Sequence, residues 1–243
     1  MIDYAPLLTA WTTPNGRPVE FELRAETNDW NTVNSCLGDN DEYALRGRAI
    51  EGWALDIGAH VGSVAVAIAV DNPDARVLAV EPVPDNVRLI RANAARNGVA
   101  DRVLVFEGAA GPPGVSRSEI RFRYRGNPSI EHHAFIGNTS LAYDSGGEAE
   151  HDARDVETLG IAVLLDRYGI TEPAYTKIDC EGGEWAFLRA PRSHLRRLPY
   201  IRGEWHNVRG HVQSDLVDLL GATHDVEFTG PVEGPGGFVA VRR

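Results

Sequence analysis

The chain has 243 residues, 43 % hydrophobic and 24 % charged, proportions of a globular protein rather than a disordered one. That length suits one α/β core, so a single domain over 1–243 is expected, with an N-terminal addition over 1–50 and an insertion over 110–152. Twenty-four basic residues against 35 acidic ones give a net charge of −11, which argues against nucleic acid as the main partner, because such binders concentrate positive charge.

Cys36 and Cys180 lie far apart, with no His or Cys at ligand spacing, so buried free thiols are expected rather than a disulfide or a zinc site. The opening MIDYAPLLTAW has no basic stretch followed by a long apolar core, and no run approaches 18 apolar residues. The expectation is a cytoplasmic protein that does not enter a membrane.

In chain order, VEFELRA reads as a strand and Asp41 to Arg48 as a helix, both in the N-terminal addition. Strand and helix patterns then alternate. GWALDI leads to a helix over 63–70, RVLAVE to one over 85–97, and RVLVFE to the insertion. The insertion holds GPPG, the alternating run EIRFRYR, the pair His132 and His133, and GNTSLAYDSGGEAE, read as a hairpin and loop of functional rather than idle character. LGIAVLLDRYG follows as a helix, AYTKIDC as a strand, EWAFLRA as a short helix, LPYIRGEW as a strand, QSDLVDLLGA as a helix, and DVEFTG and GFVAVRR as strands. Parallel neighbours need crossovers, and helices supply them, so this alternation predicts a Rossmann-like α/β fold with helices on both faces. Pro231, Gly234, Pro235 and Gly236 separate the last two strands by too little for a crossover, so the seventh strand is expected to run antiparallel.

The stretch ALDIGAHVGSVAVAIAV, residues 54 to 70, leaves a buried strand through Asp56, Gly58 and Gly62 and enters an apolar helix. Such a bend offers backbone N–H groups and a helix N-terminus to a ligand, and glycine lets the ligand approach the backbone. The spacing is neither G-x-G-x-x-G nor a triphosphate loop. Glu81 ends the next strand, where an acid can accept both hydroxyl hydrogens of a ribose. An acid for an ammonium group, Asp56, and an acid for a ribose, Glu81, suit S-adenosylmethionine better than a dinucleotide.

LDIGAHVG, AVEPVPDNVRLIRANAARNGV, the run from Val156 through LLDRYG to YTKIDCEGGEWAFL, and IRGEWH together resemble the FkbM-type methyltransferases, a family of Rossmann-like enzymes that use S-adenosylmethionine. The likeness spans about residues 30 to 206. His60 stands where the family often has Asn, and EGGE where it often has EGAE. The resemblance implies that Asp56, Gly58, Ala59, His60 and Gly62 surround the methionine part of the cofactor and Glu81 its ribose, with Pro82 and Asn86 beside it. It further implies that Glu107, Gly108 and Ala109 edge the adenine and that Asn138, Thr139 and Ser140 form a polar loop reaching the cofactor carboxylate. Asn86 also reads as a helix-start residue, and Thr139 or Ser140 as turn formers.

TKIDCEGGEW places Asp179 at the end of the fourth strand with Glu181 and Glu184 in the following turn, and GEWH places Glu204 and His206 at the end of the fifth. Ligands of open α/β sheets bind outside these ends. Crowded carboxylates raise one another's pKa, which can supply a base near neutrality. His206 is the first choice of base, with Glu204 or Asp179 orienting it and Glu181 beside them. A divalent ion held there as a Lewis acid is left open. Glu184 also reads as a helix cap, and Trp185 and Trp205 as core or rim aromatics. The resemblance implies O-methylation of a hydroxyl on a sugar or small-molecule secondary metabolite. N- or carboxyl-methylation, including on a peptide, is the nearest alternative, and a non-catalytic nucleotide-binding interaction module is the reading from another class. The N-terminal addition is expected to cover the acceptor site or to make a contact in a homodimer.

Overall fold

The computed structural model describes residues 5–25, 27–123, 139–141, 151–208, 210–229 and 236–243. A hairpin of β1 (Pro6–Thr12) and β2 (Pro18–Arg24) precedes α1 (Asp29–Leu37). Three parallel strands and their crossovers follow: β3 (Gly52–Ile57), α2 (Ser63–Asp71), β4 (Ala75–Glu81), α3 (Pro84–Arg96) and β5 (Val103–Glu107). The insertion contributes β6 (Ala109–Ala110), β7 (Arg117–Arg123), β8 (Thr139–Leu141) and β9 (His151–Leu159). The rest comprises α4 (Ile161–Arg167), β10 (Tyr175–Ile178), α5 (Glu184–Leu188), α6 (Arg192–Leu195), β11 (Tyr200–Trp205), α7 (Gln213–Leu220), β12 (His224–Thr229) and β13 (Gly236–Arg242).

Among the described residues the main sheet has seven strands in the order β12-β13-β11-β10-β3-β4-β5. β13 is antiparallel to both neighbours, while β3, β4, β5, β10 and β11 pair in parallel, as the sequence pattern predicts. The chain starts in the middle and winds outward twice, so the order reverses between β3 and β10, where such sheets open a crevice for ligands.

Period-two alternation sends successive side chains of one strand to opposite faces. Ala54, Val77 and Ala79 accordingly join one buried cluster with α2, α3 and the N-terminal residues Phe21, Leu23 and Val33. Their neighbours Leu55, Ile57, Leu78 and Val80 join a second cluster with Leu164, Leu165, Phe187 and Leu216 on the other face. Helix α2 is buried continuously from Ser63 to Ala69, which explains why its sequence is apolar all round.

The N-terminal addition differs from its expected form. Residues 41–48 form turns, not a helix. Asp41 and Ala44 take left-handed backbone conformations (φ 41° and 52°), and the Asp41 carboxylate accepts the Leu45 and Arg46 N–H groups at 2.8 and 3.0 Å, so the aspartate closes a local turn that competes with a helix. The helix here is α1, whose Val33, Cys36 and Leu37 are buried. Asn93 of α3 docks the hairpin, accepting from Glu22 N–H at 2.7 Å and donating to the Val61 carbonyl at 2.9 Å. In the insertion, β7 pairs with β9 as well as with β8, and β9 pairs with β6, giving a four-stranded sheet rather than a lone hairpin. Val83, Ala109 and Ile120 form a small cluster with that sheet, which brings the insertion to the end of β4.

Candidate active site

The bend after β3 is built on left-handed residues: Gly58 (φ 78°), His60 (φ 52°) and Gly62 (φ 86°). Gly58 has a second constraint, because a Cβ there would lie 1.7 Å from the Asp179 carbonyl oxygen. Gly58 and Ala59 N–H groups donate to the Val80 carbonyl at 3.0 and 3.1 Å, tying the bend to β4. Asp56 departs from its expected role. Its carboxylate has no exposed surface, accepts the Ala65 N–H at 3.0 Å and pairs with Lys177 Nζ at 3.3 Å, so it braces the bend and the start of α2 from beneath instead of opening toward an ammonium group. Lys177 also donates to the Gly58 carbonyl at 2.5 Å. Burial works against the lysine charge, but Asp56 and then Asp179 outweigh it and raise the Lys177 pKa.

Glu81, at the end of β4, is 3 % exposed. Its Oε2 accepts the His60 N–H at 2.9 Å, and its Oε1 accepts from Val83 N–H at 3.0 Å and Asn86 Nδ2 at 3.1 Å. Burial pushes its carboxyl up to about 7, against the pull of those three hydrogen bonds. A carboxylate can accept about four hydrogen bonds, so capacity remains for a further donor. Asn86 therefore is both a residue of the first turn of α3 and a direct partner of Glu81. Its Oδ1 accepts from Arg24 at 2.8 Å, Arg24 forks onto Asp29 at 2.7 and 2.9 Å, and Asp29 stands 3.5 Å from His60 Nε2. Burial raises the Asp29 carboxyl, but Arg24 and His60 prevail and hold it below the usual range.

Where β3, β4 and β10 end, beneath the insertion, lies a cleft whose empty volume, open solvent included, is about 350 Å³. Gly58, Pro82, Ala109, Ala110, Ile120 and Cys180 line it. Cys180 is thus partly buried, whereas Cys36 is fully so. Of the expected adenine edge, Ala109 lines this cleft and Gly108 N–H donates to the Glu81 carbonyl at 3.1 Å. Glu107 does not join them; its carboxylate lies 3.6 Å from Arg91 and is 46 % exposed. Thr139 and Ser140 stand in β8 opposite Phe122 and Arg121. Asn138, His132 and His133 lie outside the described residues.

The ends of β10 and β11 bring Asp179, Glu181, Glu204 and His206 to one edge. His206 Nε2 lies 3.4 Å from Glu181 and 3.9 Å from Asp179. Glu184, fully buried, orients the ring: its Oε1 meets His206 Nδ1 at 3.1 Å and accepts the His206 N–H at 2.8 Å, while its Oε2 accepts the Gly182 N–H at 2.9 Å. That role falls to neither Glu204 nor Asp179. Burial opposes the imidazolium, but the Glu184 bond and the charges of Glu184, Glu181 and Asp179 overcome it and raise His206 to about 10. Ringed by carboxylates in this way, His206 is set up to carry a proton and donate it, where the sequence reading expected a base. Burial, then Asp179, pushes both Glu181 and Glu204 up to about 7, the range a general base needs.

Two participants at this edge escaped the sequence reading. Tyr43 donates its hydroxyl to Asp179 Oδ2 at 2.8 Å, and Glu42 has its carboxyl raised by burial and by Asp179; both come from the turn region 136 or so positions upstream. Glu184 was legible as an acid in the motif but not as the partner of His206. Trp185, 4 % exposed, stacks on His211 with ring centres 4.4 Å apart and donates its indole N–H to the His206 carbonyl at 2.8 Å. Asp179, Glu181 and His206 also have ligating atoms within 4.8 Å of one another.

A central strand with a glycine bend, an acid at the end of the next strand and a reversed seventh strand define the class I methyltransferase fold. A model of the methyltransferase FkbM domain matches residues 56–227; the chain belongs to this family and carries an S-adenosylmethionine-dependent methyltransferase domain. A release factor glutamine methyltransferase of Geobacter sulfurreducens is 42 % identical over 72 residues, 30 % of this chain and 25 % of that protein, so the chain spans about a quarter of the length of the curated relative it matches. Two solved structures are similar: precorrin-6y C5,15-methyltransferase from Geobacter metallireducens (17 % identity, TM-score 0.45, covering 81 % of this chain and 83 % of that one), and an O-methyltransferase from Bacillus cereus in complex with S-adenosylhomocysteine (15 % identity, TM-score 0.43, covering 79 % and 74 %). No helix among the described residues is long and apolar enough to cross a membrane.

Proposed function

We propose that the protein O-methylates a hydroxyl of a neutral, polyhydroxylated small molecule such as a sugar or secondary metabolite, with S-adenosylmethionine in the cleft at the ends of β3, β4 and β10. The residues present suit that cofactor. Gly58 lines the cleft and, lacking a Cβ, lets the Asp179 backbone pack against it; Glu81, with three donors, retains acceptor capacity for a ribose hydroxyl; and Ala109, Ala110 and Ile120 offer an apolar wall to a base. The cofactor supplies a methyl group activated by its sulfonium, and alignment of the acceptor with it provides much of the acceleration.

The observation that carries the reading is the convergence of carboxyls on His206 at the ends of β10 and β11: Glu181 at 3.4 Å, Asp179 at 3.9 Å and, at the end of the same strand, Glu204; burial and Asp179 raise Glu181 and Glu204 toward the range of a base. Glu204 takes the hydroxyl proton, a contribution of about 10²–10⁴ for a general base. His206, oriented by Glu184, donates a hydrogen bond and offsets the charge of the neighbouring acids. Glu42, Asp179, Glu181 and Glu204 make this rim acidic, which disfavours carboxylate and phosphate acceptors through like-charge repulsion. Small-molecule recognition, a cytoplasmic setting and the whole domain acting as one unit belong to the same proposal.

The test is release of S-adenosylhomocysteine with neutral sugars, amines and carboxylic acids as acceptors. Turnover on neutral hydroxyl compounds should rise with pH through about 7 as Glu204 ionises, and Glu204→Gln should remove that limb and lower kcat by about 10²-fold or more without changing S-adenosylhomocysteine affinity. Turnover confined to carboxylic acids, or a Glu204→Gln variant with an unaltered pH profile, would overturn the proposal.

A further inference from the structure

The family match begins at residue 56, yet two residues before it touch the cofactor end through a closed ring of polar contacts. The ring runs from Glu81 to Asn86 (3.1 Å), to Arg24 (2.8 Å), to Asp29 (2.7 and 2.9 Å), to His60 Nε2 (3.5 Å), and from the His60 N–H back to Glu81 (2.9 Å). Arg24 ends β2 and is 4 % exposed; Asp29 opens α1 and Asn86 lies in α3, and neither has exposed surface. The Arg24 N–H also bonds to Asp29 at 2.9 Å, so backbone and side chain fix this pair together.

Each contact transmits orientation. An asparagine amide is a donor at one end and an acceptor at the other, so Arg24, by occupying Asn86 Oδ1, compels Asn86 Nδ2 to face Glu81. Asp29, by binding the other edge of the guanidinium and facing His60, fixes both Arg24 and the imidazole of the residue whose N–H reaches Glu81. Arg24 Nη1 is buried with no hydrogen-bond partner among the described residues, a cost that packing alone gives no reason to keep. Hydrogen bonds to ionised groups are shorter and stronger than neutral ones, so the ring matters most when Glu81 is charged.

We propose that Arg24 and Asp29 are positioning residues for Glu81, making the N-terminal hairpin and α1 a working part of the cofactor site rather than a cover for the acceptor. The proposal rests on the placement of S-adenosylmethionine against Glu81. It explains why these residues are buried beside the bend although they lie outside the matched domain, and it assigns His60, in place of the Asn the family often has, a contact to the addition.

The test is calorimetric binding of S-adenosylhomocysteine to the full chain between pH 6 and 9, with circular dichroism to confirm folding. Arg24→Met should weaken binding about tenfold at pH 7.5, the scale of one lost hydrogen bond to a charged group, and should move the pH dependence of the affinity upward. In a Glu81→Gln background the same substitution should change affinity by less than about twofold, because coupled residues are non-additive. Asp29→Asn and Arg24→Lys, which conserve size, serve if Arg24→Met does not fold, and should each show the same dependence on Glu81. Asn97→Ala, which removes contacts of 2.9 and 2.7 Å between α3 and Glu20 of the hairpin, should leave affinity unchanged. Losses that add fully in the Glu81→Gln background, or an Asn97→Ala variant as weak as Arg24→Met, overturn the positioning role. Wild-type affinity in Glu81→Gln alone instead overturns the cofactor placement beneath it.

Discussion

Replacing His206 with glutamine isolates the charge that the active-site edge has accumulated. In the fold this ring titrates at about 10, against 6.5 unperturbed; at 1.36 kcal/mol per unit that difference bounds its contribution at about 5 kcal/mol. The ring is 14 % exposed, so solvent screening takes little away, but its carboxylate partners repel one another and share its charge, and a net effect of about 3 kcal/mol is expected. The sign follows from linkage. A group whose pKa is raised on folding contributes fully below its unfolded value, here below pH 6.5, and loses that contribution as pH climbs toward 10. Urea unfolding of wild type and His206→Gln at pH 6, 7.5, 9 and 10 should therefore show a gap of about 3 kcal/mol at pH 6 that shrinks at each step. Glutamine keeps the backbone N–H that reaches Glu184, so the difference reports the ring. A gap constant with pH, or one that widens, refutes the assignment of a charged imidazole.

Two further outcomes follow from the bend. Asp56→Asn should destabilise the protein by about 1–3 kcal/mol, because Lys177 loses its 3.3 Å partner but keeps Asp179 at 3.8 Å and two carbonyl acceptors, and adding Lys177→Met should recover part of that loss in thermal melts; a double variant less stable than Asp56→Asn shows that the two are not a pair. Gly58→Ala should abolish S-adenosylhomocysteine binding or folding, because its Cβ meets backbone at 1.7 Å, whereas Gly62→Ala, whose nearest contacts are at 3.2 and 3.3 Å from Ile90, should be milder; equal damage at both sites contradicts the close approach to Asp179.

The seven-stranded sheet and its reversed strand were legible because local pattern and topology agree there: buried runs, glycine bends and helical crossovers all point one way. The addition was less legible. DWNTVNSCL is rich in Asn and Thr, weak helix formers, and α1 holds through burial of Val33 and Cys36. Asp41 to Arg48 contains good helix formers, yet Asp41 caps a turn. In the site, acids at strand ends could be located from the sequence, since the fold dictates where those ends meet. Their pairings could not. Nothing local in EGGEW and GEWH says that Glu184, not Glu204, holds His206, and the bonds of Arg24 to Asn86 and of Tyr43 to Asp179 join residues 62 and 136 positions apart. The Asp56 side chain was misjudged because its burial depends on Lys177, a strand away.

Trp185 ties two segments of the site together. Its indole is shielded from bulk water, hydrogen-bonded to the carbonyl of His206 and layered against His211, so it clamps the loop after β11 to the turn after β10. Any rearrangement of the His206 loop must therefore displace that indole as well.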